Sequence, residues 1–403
     1  MNLLEIRPRR GRTIGGVRAV LDGTLVDDVQ VTVEDGLIVD VRTGTRLGND
    51  ALDGHGALLL PGLIDTHTDG LERERQPRQT ATLDSAFALR SFEARLWAAG
   101  ITTVFHGIGF DDRPGHARSL AVARELWEAV TERRRSGRAA VDHRVLYRLE
   151  ARTEGGFEAM RACLEDDDAA DVLPLVSYED HTPGQGQYRD LDRFLDAMSE
   201  DGEPGGSSRE QRMAEIIAQS AATQDLADRN RAAVASLASS SRVRALAHDV
   251  VDAEGMQAAF RWGARVAEFP ITVEAARAAR QLDLPVVCGG PNALRGQSHS
   301  GNVAATELVG QELCTVLASD YLPTSLLAAV WSLTRQGIVP FTDAVGLVTS
   351  GPARAVGLRD RGRIAVGLRA DLVLVADDTP WPRVRATASA GCWHGQLGEG
   401  WQS

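Results

Sequence analysis

The chain has 403 residues, 43% of them apolar and 25% charged, which is the composition of a globular protein and excludes a disordered or fibrous one. All 44 of its basic residues are arginine, so Schiff-base lysines, P-loop lysines and carboxylated lysine bridges between metals are ruled out. With 56 acids and a net charge of −12, the chain makes a poor general binder of nucleic acid, which needs a clustered positive surface, so no nucleic-acid partner is expected, while a local arginine pocket for a small anion stays open.

The opening Met1–Arg10 stretch carries an acid and no apolar core segment, so it does not read as a signal peptide. Short strands follow over 14–58: Gly16–Val20, Asp28–Val33 and Leu37–Val41, with a hairpin signal at Glu34-Asp35-Gly36. The far end has the same character, in Arg363–Gly367 and Ala370–Val375. The two ends predict one small β domain, residues 1–58 plus 360–403, around a different unit at 59–359.

That middle alternates. Apolar strand-like runs stand at 58–65, 101–106, 144–149, 172–178, 243–247, 264–269, 285–288 and 315–318. Helical stretches such as Asp84–Ala99 and Gly115–Ser136 separate most of them. Buried strands alternating with helices predict an α/β fold, a (β/α)8 barrel, with a doubly wound sheet as the competitor. The polar residues favour the barrel: His67, Glu150, His181, His248 and Asp320 all fall at or just past the C-terminal ends of these runs, where a barrel carries its active site. One connection, 182–242, is irregular; it holds a loop tip at Asp201–Ser208 and then an alanine-rich helical stretch.

His67 and Asp69 lie two apart, so in a strand they face the same side, and imidazole beside carboxylate suits zinc, iron or manganese. Glu150 reads either as a surface partner of Arg148 or Arg152 or, with lysine absent, as the anionic bridge between two cations. Together with His181, His248 and Asp320 these residues form a His/carboxylate set spread over several strands, as a hydrolytic metal centre requires. The segment 288–302 is rich in glycine and donors. It reads as an ordinary loop or, after the seventh strand of a barrel, as a phosphate site using Arg295, Ser298, His299, Ser300 and Asn302. Arg73, Arg75, Arg78, Arg189 and Arg295 are the arginines expected near the barrel mouth to offset substrate charge, Arg78 among the substrate-binding set. His106, His116 and His143 read as structural or solvent-facing.

The four cysteines, Cys163, Cys288, Cys314 and Cys392, are widely spaced, and no apolar run nears the ~18 residues of a membrane span, so a reduced, cytoplasmic protein without a membrane partner is expected.

Several stretches then carry a resemblance. Pro61-Gly62-Leu63-Ile64-Asp65 before His67, and Gly362–Val373, resemble the amidohydrolase superfamily. More narrowly, the chain resembles the PhnM-like enzymes of the carbon–phosphorus lyase pathway at Asp180–Gln185, Ala267–Pro270, Ser298–Ala304 and Ser319–Tyr321. The resemblance implies a distorted metal-bearing (β/α)8 barrel with a small β-sandwich domain from both termini. It also implies hydrolysis of α-D-ribose 1-methylphosphonate 5-triphosphate, or a related triphosphate, to release diphosphate. Its ligand set would be His67, Asp69, Glu150, His181, His248 and Asp320, holding one or two divalent transition ions, zinc first and manganese or iron otherwise. Asp320 would also accept the proton of the attacking water. Gly70 and Val250 depart from the family's Asn and Asp; three and two residues past proposed ligands, they are expected to face the substrate and alter its choice. The alternatives are an amidohydrolase acting on a C–N bond of a phosphorylated small molecule and a non-catalytic binding subunit. The expected partner is a small anionic phosphorylated molecule, and assembly as a homo-oligomer is compatible with the chain.

Overall fold

The computed structural model describes residues 12–44, 47–48, 51–78, 80–112, 118–169, 171–183, 186, 209–298, 301–377 and 380–395. Strands β1 (Arg12–Leu21), β2 (Thr24–Glu34), β3 (Leu37–Thr43), β4 (Leu52–Asp53) and β5 (Leu58–Pro61) open the chain. Then β6 (Leu63–Thr68), β7 (Ile101–Phe110), β8 (Asp142–Glu150), β9 (Leu175–Glu179), β10 (Arg244–His248), β11 (Ala264–Glu268), β12 (Val286–Gly289) and β13 (Val316–Ala318) alternate with helices. Strands β14 (Leu372–Ala376), β15 (Arg383–Ser389) and β16 (Cys392–Gly395) close the described chain.

The terminal strands form one sheet in the order β16-β15-β14-β5-β1-β2-β3, with β4 against β1, so both ends of the chain build it. The hairpin between β2 and β3 turns where the sequence marks it, at Asp35 (φ 48°) and Gly36 (φ 81°), the positive angles a two-residue turn requires. Arg363–Gly367, expected as a strand, is instead a turn-rich segment whose backbone ties to Ile38 through Gly367 N–H. The expected run 58–65 is also two strands rather than one: β5 belongs to the terminal sheet and β6 to the barrel. Gly62 makes the step between them, because a Cβ there would lie 2.2 Å from Thr102 Oγ1.

The eight strands β6 to β13 pair in sequence order, all parallel, and a backbone bridge between Thr68 and Asp320 brings the last to the first. Asp69 N–H donates to the Asp320 carbonyl at 2.6 Å and Asp320 N–H to the His67 carbonyl at 2.9 Å, so the closing seam runs through residues expected to be functional. Helices fill the connections. Asp84 caps Ser85–Ala98, Ser119 caps Leu120–Arg135, Asp252 caps Ala253–Trp262 and Thr272 caps Val273–Gln281, each side chain accepting a backbone N–H of the first turn. The alanine-rich stretch of the irregular connection forms helices Arg209–Ala222 and Gln224–Ser239, while the loop tip at 201–208 lies outside the described residues. No helix among the described residues is long and apolar enough to cross a membrane.

The barrel interior is packed by one apolar side chain per strand: Ile64, Phe105, Leu146, Leu175, Leu246, Val266, Val287 and Val316. Strand alternation then decides what lies above this layer. Two residues further along, the same inward face carries Arg148, Ser177, His248 and Glu268, and four residues further Glu150 and Glu179. The apolar layer is therefore the floor on which a polar cluster stands.

Candidate active site

Above that floor a cavity of about 730 Å3 opens at the C-terminal ends of the strands. His67, Asp69, Arg148, His181, His248 and Asp320 line it, with Arg73, Arg118, Arg295, Ser298 and Asn302 further round the wall and Phe269, Ile271, Val303 and Leu308 as its apolar part. Asp249, Phe269 and Asp320, each just past a strand end, have φ of 52°, 51° and 56°. These left-handed conformations cost energy in non-glycine residues and re-aim the chain at the mouth.

Behind the wall sits a row of buried glutamates. Glu268 reaches Nδ1 of both His67 and His248, at 2.8 Å each, and accepts a hydrogen bond from Ser177 Oγ at 2.5 Å. Glu150 pairs with His181 Nδ1 at 2.8 Å and accepts the His181 backbone N–H at 3.2 Å. Glu179 takes Nε and Nη2 of Arg148 at 2.8 and 2.9 Å, and the same guanidinium donates through Nη1 to Asp69 Oδ1. Carboxylates that grip Nδ1 fix each ring's orientation and tautomer, which is how metal-binding histidines are held. His67 then turns Nε2 toward Asp69 Oδ1 at 3.4 Å and His248 turns Nε2 toward Asp249 Oδ2 at 3.7 Å.

Charge follows from this arrangement. Burial disfavours a charged His67, but the Glu268 carboxylate and then Asp69 overcome it and hold the imidazole well above its ordinary range. For His248 burial is again outweighed, by Asp249 and then Glu179 and Glu268, and its pKa is pushed up to about 9. Burial would raise Glu268, yet the two histidines hold it at about 2. Asp69 is drawn well below the carboxylate range against its burial, chiefly by Arg148. Asp320 moves the other way, raised by burial and by the neighbouring Asp69 charge. The pocket is thus an anionic cluster that favours cations, beside a carboxylate with enhanced proton affinity.

The imidazole and carboxylate donors fit a divalent transition ion. His67, His248 and Glu268 offer ligand atoms within 4.8 Å of one another, and so do Glu179, His181 and His248. Of the residues singled out from sequence, His67, Asp69, His181, His248 and Asp320 share the pocket wall, and Glu150 stands behind His181. Glu150 is buried and paired with His181, while Arg148 pairs with Asp69 and Glu179, so the surface-glutamate reading does not hold. Arg295, Ser298 and Asn302 line the wall; His299, Ser300, Arg189 and His116 lie outside the described residues. Arg78 is exposed and off the wall, and Arg75 is tied to Glu125 at 3.1 Å. His106 and His143 are both buried, neither solvent-facing.

Gly70 and Val250 do not face this cavity, contrary to expectation. A Cβ at Gly70 would meet the buried Phe92 ring at 2.2 Å, and Val250 packs against Ala247 and Ala259 in a neighbouring recess. Sequence reasoning missed Arg118, Arg148, Glu179 and Glu268. The inward alternation above Leu146, Leu175 and Val266 carried a signal for the last three; Arg118, in a connection, had none.

Residues 300–391 match the amidohydrolase family. The alpha-D-ribose 1-methylphosphonate 5-triphosphate diphosphatase of Escherichia coli (strain K12) is 33% identical over 363 residues, 90% of this chain and 94% of that protein. Among solved structures, a Xaa-Pro dipeptidase with bound methionine in the active site is similar with a TM-score of 0.64 at 14% identity, covering 96% of this chain and 100% of that one. N-acetyl-D-glucosamine-6-phosphate deacetylase from Mycobacterium smegmatis follows at 0.59 and 17%, covering 95% and 99%. At such identities the two structures speak for the shared fold alone.

Proposed function

The chain belongs to the amidohydrolase family of metal-dependent hydrolases, and from that premise we propose that it cleaves the phosphoanhydride of α-D-ribose 1-methylphosphonate 5-triphosphate, or a closely related triphosphate, releasing diphosphate. The observation that carries this reading is the arginine set Arg73, Arg118 and Arg295, placed on the wall of a His/carboxylate pocket in a chain whose net charge is −12. Such a set recognises several phosphoryl oxygens at once and has little purpose beside a neutral amide.

The ion, zinc first with manganese or iron as alternatives, would draw its ligands from His67, Asp69, His181, His248 and Asp320. When bound it supplies Lewis acidity, lowering the pKa of water and offsetting phosphoryl charge. The remaining work falls to the chain. Glu268 and Glu150 keep the imidazoles oriented at Nδ1. Asp320, on the pocket wall beside His67 and Asp69, takes the proton of the attacking water. Arg295, Ser298 and Asn302, joined by Arg73 and Arg118, bind the leaving diphosphate. Asn292 holds that loop in place: its Oδ1 accepts Ala305 N–H at 2.9 Å and its Nδ2 donates to the Val303 carbonyl at 3.2 Å. A cytoplasmic location goes with this reading.

The test is a substrate panel: the ribose methylphosphonate triphosphate, ATP, and N-acylated or amino-bearing sugar phosphates, scored for diphosphate, carboxylate and ammonia. Diphosphate from the first compound, at the highest kcat/KM, is the expected result. Ammonia or carboxylate release in its place would transfer the chain to C–N chemistry.

A further inference from the structure

We propose that the guanidinium of Arg148 takes the place of a second metal ion, so that this centre binds one divalent ion per chain. The proposal deepens the hydrolase reading and rests on it only for the presence of an ion.

Arg148 stands on the inward face of β8, two residues above Leu146 of the barrel floor, and reaches the cavity wall although it is 5% exposed. Its Nε and Nη2 take the two oxygens of Glu179, at 2.8 and 2.9 Å, and its Nη1 takes Asp69. These carboxylates come from the ends of β9 and β6. Two-metal hydrolytic centres place a cation between carboxylates gathered from separate strands. Here that position already holds a positive charge, covalently attached and incapable of losing its proton.

A second observation points the same way. Among the described residues two groups of three donors lie close enough to hold an ion, His67/His248/Glu268 and Glu179/His181/His248, and they share His248. His248 Nδ1 is engaged by Glu268 at 2.8 Å, which leaves a single ring nitrogen for coordination, and one nitrogen serves one ion. Filling both groups at once would require a second donor that His248 does not have. Glu179, moreover, has both oxygens committed to Arg148. The chain has no lysine to carboxylate, and Glu150, the carboxylate that could bridge in its place, turns one oxygen to His181 Nδ1 at 2.8 Å and the other to the His181 backbone N–H at 3.2 Å.

The experiment counts ions rather than turnover. Protein is stripped with a chelator, reloaded with excess Mn2+, freed of unbound ion by gel filtration, and analysed for manganese per chain and by electron paramagnetic resonance. Wild type is expected to hold one ion with the spectrum of isolated Mn2+, and Arg148→Met, which frees Asp69 and Glu179, two ions with the spectrum of a coupled pair. Two ions or a coupled pair in wild type would overturn the proposal, a result that does not depend on the variant folding. One ion in both proteins would overturn it too, because Arg148 would then not be what excludes the second. Wild type that binds none would remove the metal reading itself, and this proposal with it. Should Arg148→Met be insoluble, Arg148→Gln removes the same charge with a polar side chain and carries the same expected outcomes.

Discussion

Two buried places in this molecule are built from the same residue types. At the barrel mouth, Glu268 joins His67 and His248, with Arg148 and Asp69 alongside. Between the barrel and its helices, Glu93 joins His143 at 2.7 Å, His143 joins His106 at 2.8 Å, and Arg133 closes on Glu93 at 2.6 Å. The first lies on a cavity of about 730 Å3; the second is sealed beneath helices, and His106 Nδ1 has no hydrogen-bond partner. Their electrostatics differ accordingly. His67 and His248 are raised by several carboxylates, whereas burial and then the neighbouring His143 hold His106 well below the imidazole range. A histidine–carboxylate chain is therefore not a site in itself. Excess negative charge and an open wall make the difference.

The largest effect that separates the two places should come from His67→Ala. It should cost about 4 kcal/mol of transition-state stabilisation, roughly a thousandfold in kcat/KM, with circular dichroism unchanged, since His67 is above the apolar floor rather than in it. Activity within tenfold of wild type would place the chemistry elsewhere.

Glu268→Gln comes next. The amide has one acceptor oxygen where the carboxylate has two, so one imidazole loses its Nδ1 acceptor, and metal affinity, measured by competition with a chromogenic chelator, should fall about 10- to 100-fold. An unchanged affinity would mean that Glu268 packs but does not orient.

Glu93→Gln is the matching change in the sealed chain. It should lower stability by about 1–3 kcal/mol in urea unfolding and leave kcat/KM alone. A loss of turnover in a fully folded variant would show that the two chains communicate. The same region sets a pH dependence. His106 is neutral in the folded protein, while the unfolded chain protonates it below about pH 6.5. Its contribution to stability is complete above that pH and is lost as pH falls, because the unfolded state then binds the extra proton. Compared with His106→Leu, wild type should lose more thermal stability between about pH 7 and about pH 5; parallel curves would contradict the depressed imidazole.

The smallest effects concern residues the sequence suggested and the geometry relocates. Gly70→Asn should cost about 1–3 kcal/mol by driving Cβ into Phe92, with the ratio of kcat/KM between triphosphates unchanged. A shift in that ratio at constant stability would restore Gly70 to the specificity set. Arg78→Ala, exposed and away from the wall, should leave kcat/KM within about twofold.

These residues also show what a sequence reveals here. The eight barrel runs and the helical stretches between them were legible because apolar runs with capped helices between them have few other solutions. The break at Gly62 was not, since a continuous apolar run does not reveal that β5 and β6 pair with different sheets. His67, His181, His248 and Asp320 were legible from their places at strand ends. Glu268 and Glu179 sit at strand ends too, but with one sequence a glutamate there reads equally well as a surface residue. Only the register that puts them above Val266 and Leu175 turns them inward. Gly70 and Val250 failed for the opposite reason: nearness in sequence to His67 and His248 says nothing about which way a residue points once the strand has ended.

The central claim, that the barrel mouth is a metal-dependent phosphoanhydride hydrolase, is tested most directly by titrating Zn2+ or Mn2+ back into chelator-stripped protein while following diphosphate release from the ribose methylphosphonate triphosphate. Release is expected to vanish in the stripped protein and to rise in proportion to bound ion until the site is filled. Stripped protein that retains full diphosphate release would contradict the account.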